Sequence, residues 1–530
     1  MSGTAGVLSG TAGALSGTAA LTESAVRADR IRIPVWTVAV AGLTVLVSSG
    51  YGTLYPTAES RGSRAAIASS AAGTALSGPG YGLGDYTLGA MVANEIAGLT
   101  MVGAAIMSVL LVTRHLRAAE EAGRAELIAG VAGRHAGITA GVLPAALANL
   151  FVALLLVIGL LAVGLPPVGS LNLSAGVLTV GLVFTALSAF MSQLADRART
   201  ANTFGVLAVT AAFLLRAVGD AAQPESGSLL SWASPIGWAQ ATRAYVDERW
   251  WPLMLGVAAS AILLACAYTA AGRRDLGAGL LPPRRGRTEA TERLTGVTAS
   301  AAHRQRDRML GWAAGTVALS LPLGFSGHSV DDFHSSMFLT VAAAMYVLDA
   351  VVSIRGEERS GRTDLVLSTP TSRTQWLVAQ VGVITVSAIG IMVASAIGMG
   401  VAAALTQSDG GVLPRLVGAS LNLLPALFCV VGLCTWMYGH APRALPAIWG
   451  YLAYVLATEI FGRVLPDWFG LLSPFHFTPA LPADEFEALP IVFLSATALV
   501  LTMLGIEGFR RRDLEISKGP PAPAAPAGSA

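Results

Sequence analysis

The sequence predicts an all-α polytopic membrane protein, with twelve transmembrane helices in two parallel six-helix repeats. Three observations predict it. First, 54% of the 530 residues are hydrophobic and only 12% are charged, about half the charge of an average soluble domain, and mean hydropathy is +0.63. Second, twelve apolar segments are close to the ~20 residues that a helix needs to cross a bilayer core. Third, a charged motif recurs once, at the same place in each half. So few charges cannot solvate the outside of a soluble protein this apolar, so a soluble enzyme, a disordered chain and a disulfide scaffold are excluded. The net charge of +2 carries no polyanion footprint. Cys266, Cys429 and Cys434 sit in apolar runs without metal-ligand spacing.

Residues 1–32 form the first region. Ser-Gly-Thr-Ala starts at Ser2, Ser9 and Ser16, a low-complexity pattern. Leu21, Val26 and Ile31, beside Arg27 and Arg30, suit a short interfacial helix. Residues 33–271 form the first membrane half, with spans at 33–53, 95–113, 137–164, 172–195, 202–219 and 251–271. Residues 272–308 form a linker. Residues 309–509 form the second half, with spans at 309–327, 335–353, 377–405, 414–437, 445–464 and 489–509. The Pro/Ala-rich tail, 510–530, is expected to be disordered. With the N-terminus inside, most of the 34 basic residues fall in inner segments, while outer loops hold Arg61, Arg64, Arg243 and Arg249. The positive-inside rule therefore puts both termini in the cytoplasm of a bacterial plasma-membrane protein.

Self-comparison gives the repeat. Arg117, Glu120, Gly123, Arg124, Glu126 and Leu127 recur as Arg355, Glu358, Gly361, Arg362, Asp364 and Leu365, with Asp364 a conservative match for Glu126. Arg273-Arg274-Asp275-Leu276 recurs as Arg511-Arg512-Asp513-Leu514 at the same offset, and Pro252 as Pro490. Six spans per half preserve orientation, so the repeats are parallel, and a pair of bundles suggests a transport path. The halves differ outside: the first outer loop, about 54–94, is long, and its counterpart, 326–334, is short. The segment 228–250 reads as a re-entrant or interfacial helix pair, or as an aromatic belt.

The duplicated motif lies just inside the membrane. Leu116, Gly123, Leu127 and Ile128 match Ile354, Gly361, Leu365 and Val366, an apolar stripe on one face of a short helix. Glycine there would permit close backbone approach. Mixed charges around the stripe favour docking of a cytosolic partner over simple lipid attraction. Charge reversal at Glu120 or Glu358 is expected to weaken that docking without changing membrane level; Arg61 and Arg64 are expected to be tolerant outer positions. The only lysine is Lys518, so there is no Walker P-loop: any ATP and Mg must be bound by a partner, and this chain carries no cofactor or catalytic residue of its own.

Several stretches resemble the actinobacterial fused ABC-2-type permeases, a family of polyketide- and tetronasin-antibiotic (multidrug) exporters. They include Arg32-Ile-Pro-Val-Trp36, Leu54-Tyr-Pro-Thr57, Arg114 to Leu127, Phe213 to Asp220, Leu230 to Gln240, Glu248 to Pro252 and Arg273 to Pro283. The resemblance runs along nearly the whole chain. It implies an ABC-2, type V exporter-like fold, two copies of a separate cytosolic ABC ATPase, and hydrophobic drug substrates. It carries a coupling role onto 116–131 and 354–368, although Gly130-Val-Ala-Gly133 stands where a proline-containing turn is usual. It also places the path along spans 2, 5, 8 and 11, with lining candidates Met101, Met107, Phe204, Phe213, Met337, Phe338, Met345, Tyr346, Trp449, Tyr451 and Tyr454. Met and aromatic side chains repack around varied apolar ligands, and they equally fill helix contacts.

Polar residues in spans complete the reading. Arg216 with Asp220 and Glu459 with Arg463 are i,i+4 pairs at outer helix ends. Asp349 and Glu507, near inner ends, are expected to snorkel, with a proton-carrying role as the alternative. His328, Asp331, Asp332 and His334 match no metal site. A proton-coupled antiporter of the major facilitator type also has two six-span halves and is the main alternative to an ATP-driven exporter. A membrane-embedded transferase is the third reading; it needs convergent catalytic groups that the scattered histidines do not supply.

Overall fold

Apolar runs of this length leave the helix as the economical way to satisfy backbone polar groups in lipid. In a computed structural model, which describes residues 20–275, 277–281, 294, 296–325, 332–407, 411–461, 466–479 and 487–514, every long element is a helix and no strand occurs among the described residues. The chain divides into two compact units, Met1–Gly286 and Arg287–Ala530.

Unit 1 begins with a short helix at 20–28 (α1), then Arg32–Leu54 (α2). Two small loop helices, Ala58–Ala68 (α3) and Ala71–Ser77 (α4), come next. Leu88–Glu121 (α5) is followed by Arg124–Ala162 (α6), Pro167–Leu194 (α7) and Ala198–Ala222 (α8). Leu229–Trp232 (α9) and Pro235–Gln240 (α10) form a helix pair capped by Ser228 and Ser234, before Pro252–Arg273 (α11). A helix pair is thus present within 228–250. α7 is the centre of the unit and packs against α5, α6 and α11. Its buried face is built largely from Gly, Ser, Ala and Val, small residues that let helices approach without a large side chain to accommodate.

Unit 2 contains Val297–Phe325 (α12), Asp332–Arg359 (α13), Arg362–Leu367 (α14), Arg373–Gln407 (α15), Val412–Asn422 (α16), Leu424–His440 (α17), Ala447–Phe461 (α18) and Ala488–Arg511 (α19). α17 and α19 pack backbone to backbone: a Cβ on Gly439 would lie 2.1 Å from the Gly505 carbonyl oxygen, and one on Gly505 would lie 2.4 Å from that of Thr435. Only glycine permits this approach.

Ten helices among the described residues are long and apolar enough to cross a membrane. The expected seventh and eleventh spans are also helical, as α12 and α18, but fall outside those ten. α12 carries Arg304, Arg306, Asp307 and Arg308 in its first turns. α18 is described over 15 residues, fewer than the ~20 a perpendicular crossing takes, and residues 462–465 that follow it lie outside the described residues. Residues 297–308, expected in a linker, are the start of α12. The Ser-Gly-Thr-Ala repeats up to residue 19 and the tail beyond residue 514 lie outside the described residues.

Candidate functional site

The duplicated motif folds into a buried charge clamp in each unit. In unit 1, Leu116 ends the straight part of α5 and Arg117 turns inward, 1% exposed. Arg117 donates from Nε to the Ser192 carbonyl at 2.7 Å, from one terminal nitrogen to Glu120 at 2.6 Å, and from the other to the Ala278 carbonyl at 2.7 Å. Arg274, just past α11, donates from both terminal nitrogens to Glu120 and from Nε to Gln193 Oε1 at 2.7 Å. One carboxylate thus ties the ends of α5 and α11 together, with the end of α7 held by the same two arginines.

Unit 2 repeats the central pair. Arg512, just past α19, reaches the two oxygens of Glu358 at 2.6 and 2.7 Å. Tyr438 donates to the same carboxylate at 2.7 Å. The Arg512 guanidinium lies 5.1 Å from the Tyr438 and Phe509 ring centroids, and Phe509 stacks on Trp376. The Glu–Arg separation along the chain is 154 residues in both units. Bidentate pairing of this kind is the strong form of a carboxylate–arginine bond. Both pieces of the clamp are visible in the sequence as repeats at one shared offset; that they bind each other emerges only in the fold.

This geometry corrects the expected charged face. Glu358 is 1% exposed and Ile354 is also buried, while Glu120 is mostly buried, so the duplicated acids face inward and not toward solvent. The continuous apolar stripe is also broken. Gly123 and Gly361 adopt left-handed φ values of 71° and 74°, with nothing within 4 Å of a Cβ placed there. They therefore serve as elbows that L-residues resist, not as sites of close approach. After its elbow unit 1 continues into α6 with no separate short helix and no break at Gly130–Gly133; the one proline of α6, Pro144, lies further along. Unit 2 instead makes the short α14 and stops at Ser368. Leu365 is 73% exposed there, Arg362 is exposed, and Arg355, Gly361 and Asp364 are half-buried. The side chains of Arg124, Glu126 and Leu127 lie outside the described residues.

The expected path residues divide. In each unit the second and fifth helical segments, α5 with α8 and α13 with α18, do pack on one another. Met337, Met345, Tyr451 and Tyr454 come together in one apolar cluster. Tyr451 and Tyr454 donate to the Leu472 and Phe469 carbonyls. Phe338 is half-buried, Tyr346 is fully buried in the main core of unit 2, and Trp449 is 41% exposed. Met101 and Met107 are fully buried in the unit 1 core, with Phe213 packed at its edge; Phe204 is half-buried.

Other polar groups are engaged as well. Arg216 and Asp220 pair at 3.4 Å, both fully buried. Arg216 also donates to the Ala75 carbonyl, and Ser231 donates to Asp220 at 2.5 Å, so this pair pins the loop helices α4 and α9 to α8. Arg64, expected as a tolerant loop position, is not a free charge: its guanidinium donates to Glu95 at 2.9 to 3.2 Å. Tyr51 and Tyr86 donate to the same carboxylate. Burial, then the Glu95 charge, pushes the Tyr86 hydroxyl well up, while the Glu95 hydrogen bond pushes the Arg64 guanidinium up despite burial. Asp349 accepts from Arg308 at 3.0 Å and Trp312 at 3.2 Å, and Glu507 pairs with Arg510 and Arg511. His328, Asp331 and Arg463 lie outside the described residues, as do the side chains of Asp332, His334 and Glu459.

One network has no signature in the sequence. Asp29, between α1 and α2, is fully buried and accepts from Arg114 at 3.0 Å; His115 Nε2 lies 2.5 Å from its other oxygen. Burial raises the Asp29 carboxyl, but the His115 hydrogen bond and charge, with Arg114 and Arg32, outweigh it and hold the group below its ordinary value. Asp29 stands 85 positions from Arg114 in the chain, so no local spacing reveals the pair.

The sequence is 33% identical over 521 residues to the multidrug efflux system permease protein Rv1217c of Mycobacterium tuberculosis (strain ATCC 25618 / H37Rv), an alignment covering 92% of this chain and 93% of the relative. Residues 334–510 match the family described as multidrug efflux system permease Rv1217c, C-terminal domain.

Proposed function

Because the chain belongs to the multidrug efflux permease family, we propose that it is the membrane-spanning subunit of an ATP-driven exporter of hydrophobic or amphipathic compounds, served by two copies of a separate cytosolic ATPase. The observation that carries this reading is the charge clamp formed by the same motif in both units. Each clamp fastens the end of a second helix to the end of a sixth, so a force applied at the adjoining elbow enters the whole unit and not one loop. Two such attachment points suit two ATPase copies. Contact with those copies falls to surface groups beside the clamps, Glu121 and Gly123 in unit 1 and Arg362 and Leu365 in unit 2, all exposed. ATP and Mg bind to the partner, in keeping with a chain that has no P-loop.

The same reading takes α12 and α18 as the two remaining crossings, giving twelve spans in two parallel repeats with both termini cytoplasmic. In each unit the second and fifth helical segments, α5 with α8 and α13 with α18, line the substrate path. The clustered Met337, Met345, Tyr451 and Tyr454 are then the first unit 2 side chains to meet a drug, and Met101 and Phe213 their counterparts in unit 1.

Export measured in cells separates the energy sources. Efflux of a hydrophobic dye is expected to need a co-expressed partner ATPase, to persist when the proton gradient is collapsed with ATP maintained, and to stop when ATP is depleted. Vesicles holding the purified permease alone that pump dye under a pH gradient would overturn the ATP-driven reading.

A further inference from the structure

A cavity of about 30 Å³ lies in unit 1 beside the start of α5 and the end of α10. That is room for about two waters or one small polar group. Its walls come from α5 between Ala93 and Met101, from Leu173 on α7, from the 78–81 loop after α4, and from the end of α10 and the loop after it, including Gln240 and Arg243. Three independent features converge on it.

The first is a π-helical turn, Val92–Ile96, which supplies Ala93 and Asn94. Such turns interrupt a helix at some cost and are concentrated at functional sites. The second is backbone strain in the adjoining loop. Arg243, Tyr245 and Glu248 hold left-handed φ values of 51°, 63° and 32°, which bulky residues adopt only when packing enforces it. Packing does so here: the Tyr245 ring fills the space left by Gly89 and Gly169, and its hydroxyl lies 2.9 Å from Ser170 Oγ.

The third is an unpartnered acceptor. Gln240 is 8% exposed and lines the cavity. Its Nε2 donates to the Ser77 carbonyl at 2.8 Å. A carbonyl only accepts, so the amide orientation is set, and Oε1 is the remaining end. Oε1 has no hydrogen-bond partner among the described residues. Burying an acceptor without a donor is unfavourable. The neighbouring Asn94 is satisfied at both ends, donating to the Pro79 carbonyl and accepting from Tyr86. Arg243, on the same wall, lies over the Tyr81 ring at 4.4 Å and is already paired with Asp247 at 3.3 Å. The cavity thus offers one unmet neutral acceptor among mostly apolar walls, with no free counter-charge among its lining residues for a buried cation.

We propose that this cavity is a recognition subsite for the uncharged hydrogen-bond-donating group of an amphipathic ligand, a hydroxyl or an amide N–H, which enters it and is held on Gln240 Oε1 while the ligand's apolar part stays outside. The proposal rests on the permease reading and narrows its substrate class to amphiphiles with a neutral donor.

The test uses the full chain in nanodiscs, with empty nanodiscs as background. Two probes of equal chain length are compared by equilibrium dialysis: octyl β-D-glucoside, with neutral hydroxyls, and octyltrimethylammonium, cationic and without a donor. The wild type is expected to bind the glucoside at least ten-fold more tightly than the ammonium. Gln240→Leu removes the acceptor, and Ala97→Leu fills the cavity while leaving the Gln240–Ser77 bond intact, so a folding defect in the first variant does not void the test. Each is expected to weaken glucoside binding at least ten-fold and to leave the ammonium unchanged. Glucoside binding that is absent, or equal in the wild type and Ala97→Leu, would overturn the subsite and leave a cavity that holds only water. Dye export by wild-type cells tests the permease reading by itself: export with variant-insensitive binding sinks the subsite alone, whereas variant-sensitive binding without export sinks the permease reading alone.

Discussion

Arg512 holds Glu358 through both carboxylate oxygens, at 2.6 and 2.7 Å, across 154 residues of chain. The carboxylate is fully buried and the arginine is largely so. Removing one member of such a pair leaves a buried charge without compensation.

Glu358→Ala is therefore expected to destabilise unit 2 by about 3–5 kcal/mol. The double replacement Glu358→Leu with Arg512→Met is expected to recover much of that loss, because a well-packed apolar pair avoids desolvation altogether. Thermal unfolding of the purified chain in detergent checks both. Reversal to Glu358→Arg is expected to lower membrane level, in contrast to what an exposed docking charge would do. A Glu358→Ala chain as stable as the wild type would contradict the clamp.

The elbows give a second prediction. Gly361 has a left-handed φ of 74° and open space where a Cβ would stand, so backbone strain alone decides the outcome. Gly361→Val is expected to cost about 1–2 kcal/mol and to impair partner co-purification. Gly361→Asn, a residue that visits this conformation, is expected to be tolerated. Equal effects of Val and Asn in a pull-down would show that the elbow conformation is unimportant.

In the 54–94 loop, Arg64→Ala is expected to destabilise by about 1–3 kcal/mol, since it strips the main partner from the largely buried Glu95. Arg64→Lys is expected to restore only part, because a point charge cannot reproduce the fork geometry. Proteolysis of the 54–94 loop in intact vesicles reads this directly: faster cleavage in Arg64→Ala is the expected result, and an unchanged rate would contradict the assignment.

Acid sensitivity should trace to Asp29. Its folded-state pKa lies below the ordinary 3.8. The unfolded chain thus binds a proton more readily, and Asp29 contributes stability that is present above the unfolded value and lost as pH falls through the folded one. Asp29→Asn is expected to lower Tm at pH 7 and to make little difference well below pH of about 3, when both states are protonated. A Tm gap that does not shrink in acid would place the effect elsewhere.

How much of this is legible in the sequence follows from chain distance. The spans can be read because apolar runs act locally, one residue beside the next. The Arg216–Asp220 pair is readable because one helical turn joins its members. The Asp29, Arg64–Glu95 and Gln193–Arg274 bonds are not, because each joins residues on separate elements with no shared spacing. Glu120 and Glu358 stand out as a motif but read as a surface, since charge next to a membrane usually seeks water, and only the folded chain brings an arginine from the end of a sixth helix to meet them.

The elbow of unit 1 opens into a single 39-residue helix, Arg124 to Ala162, with Pro144 inside it. Proline removes a backbone donor and crowds the preceding turn, so this helix carries a point of bending within its length. In unit 2 the six-residue α14 ends in a turn before α15 begins, so the corresponding break comes directly after the elbow. The duplicated motif therefore leads into differently jointed helices: the weak point lies inside the helix in unit 1 and at its start in unit 2.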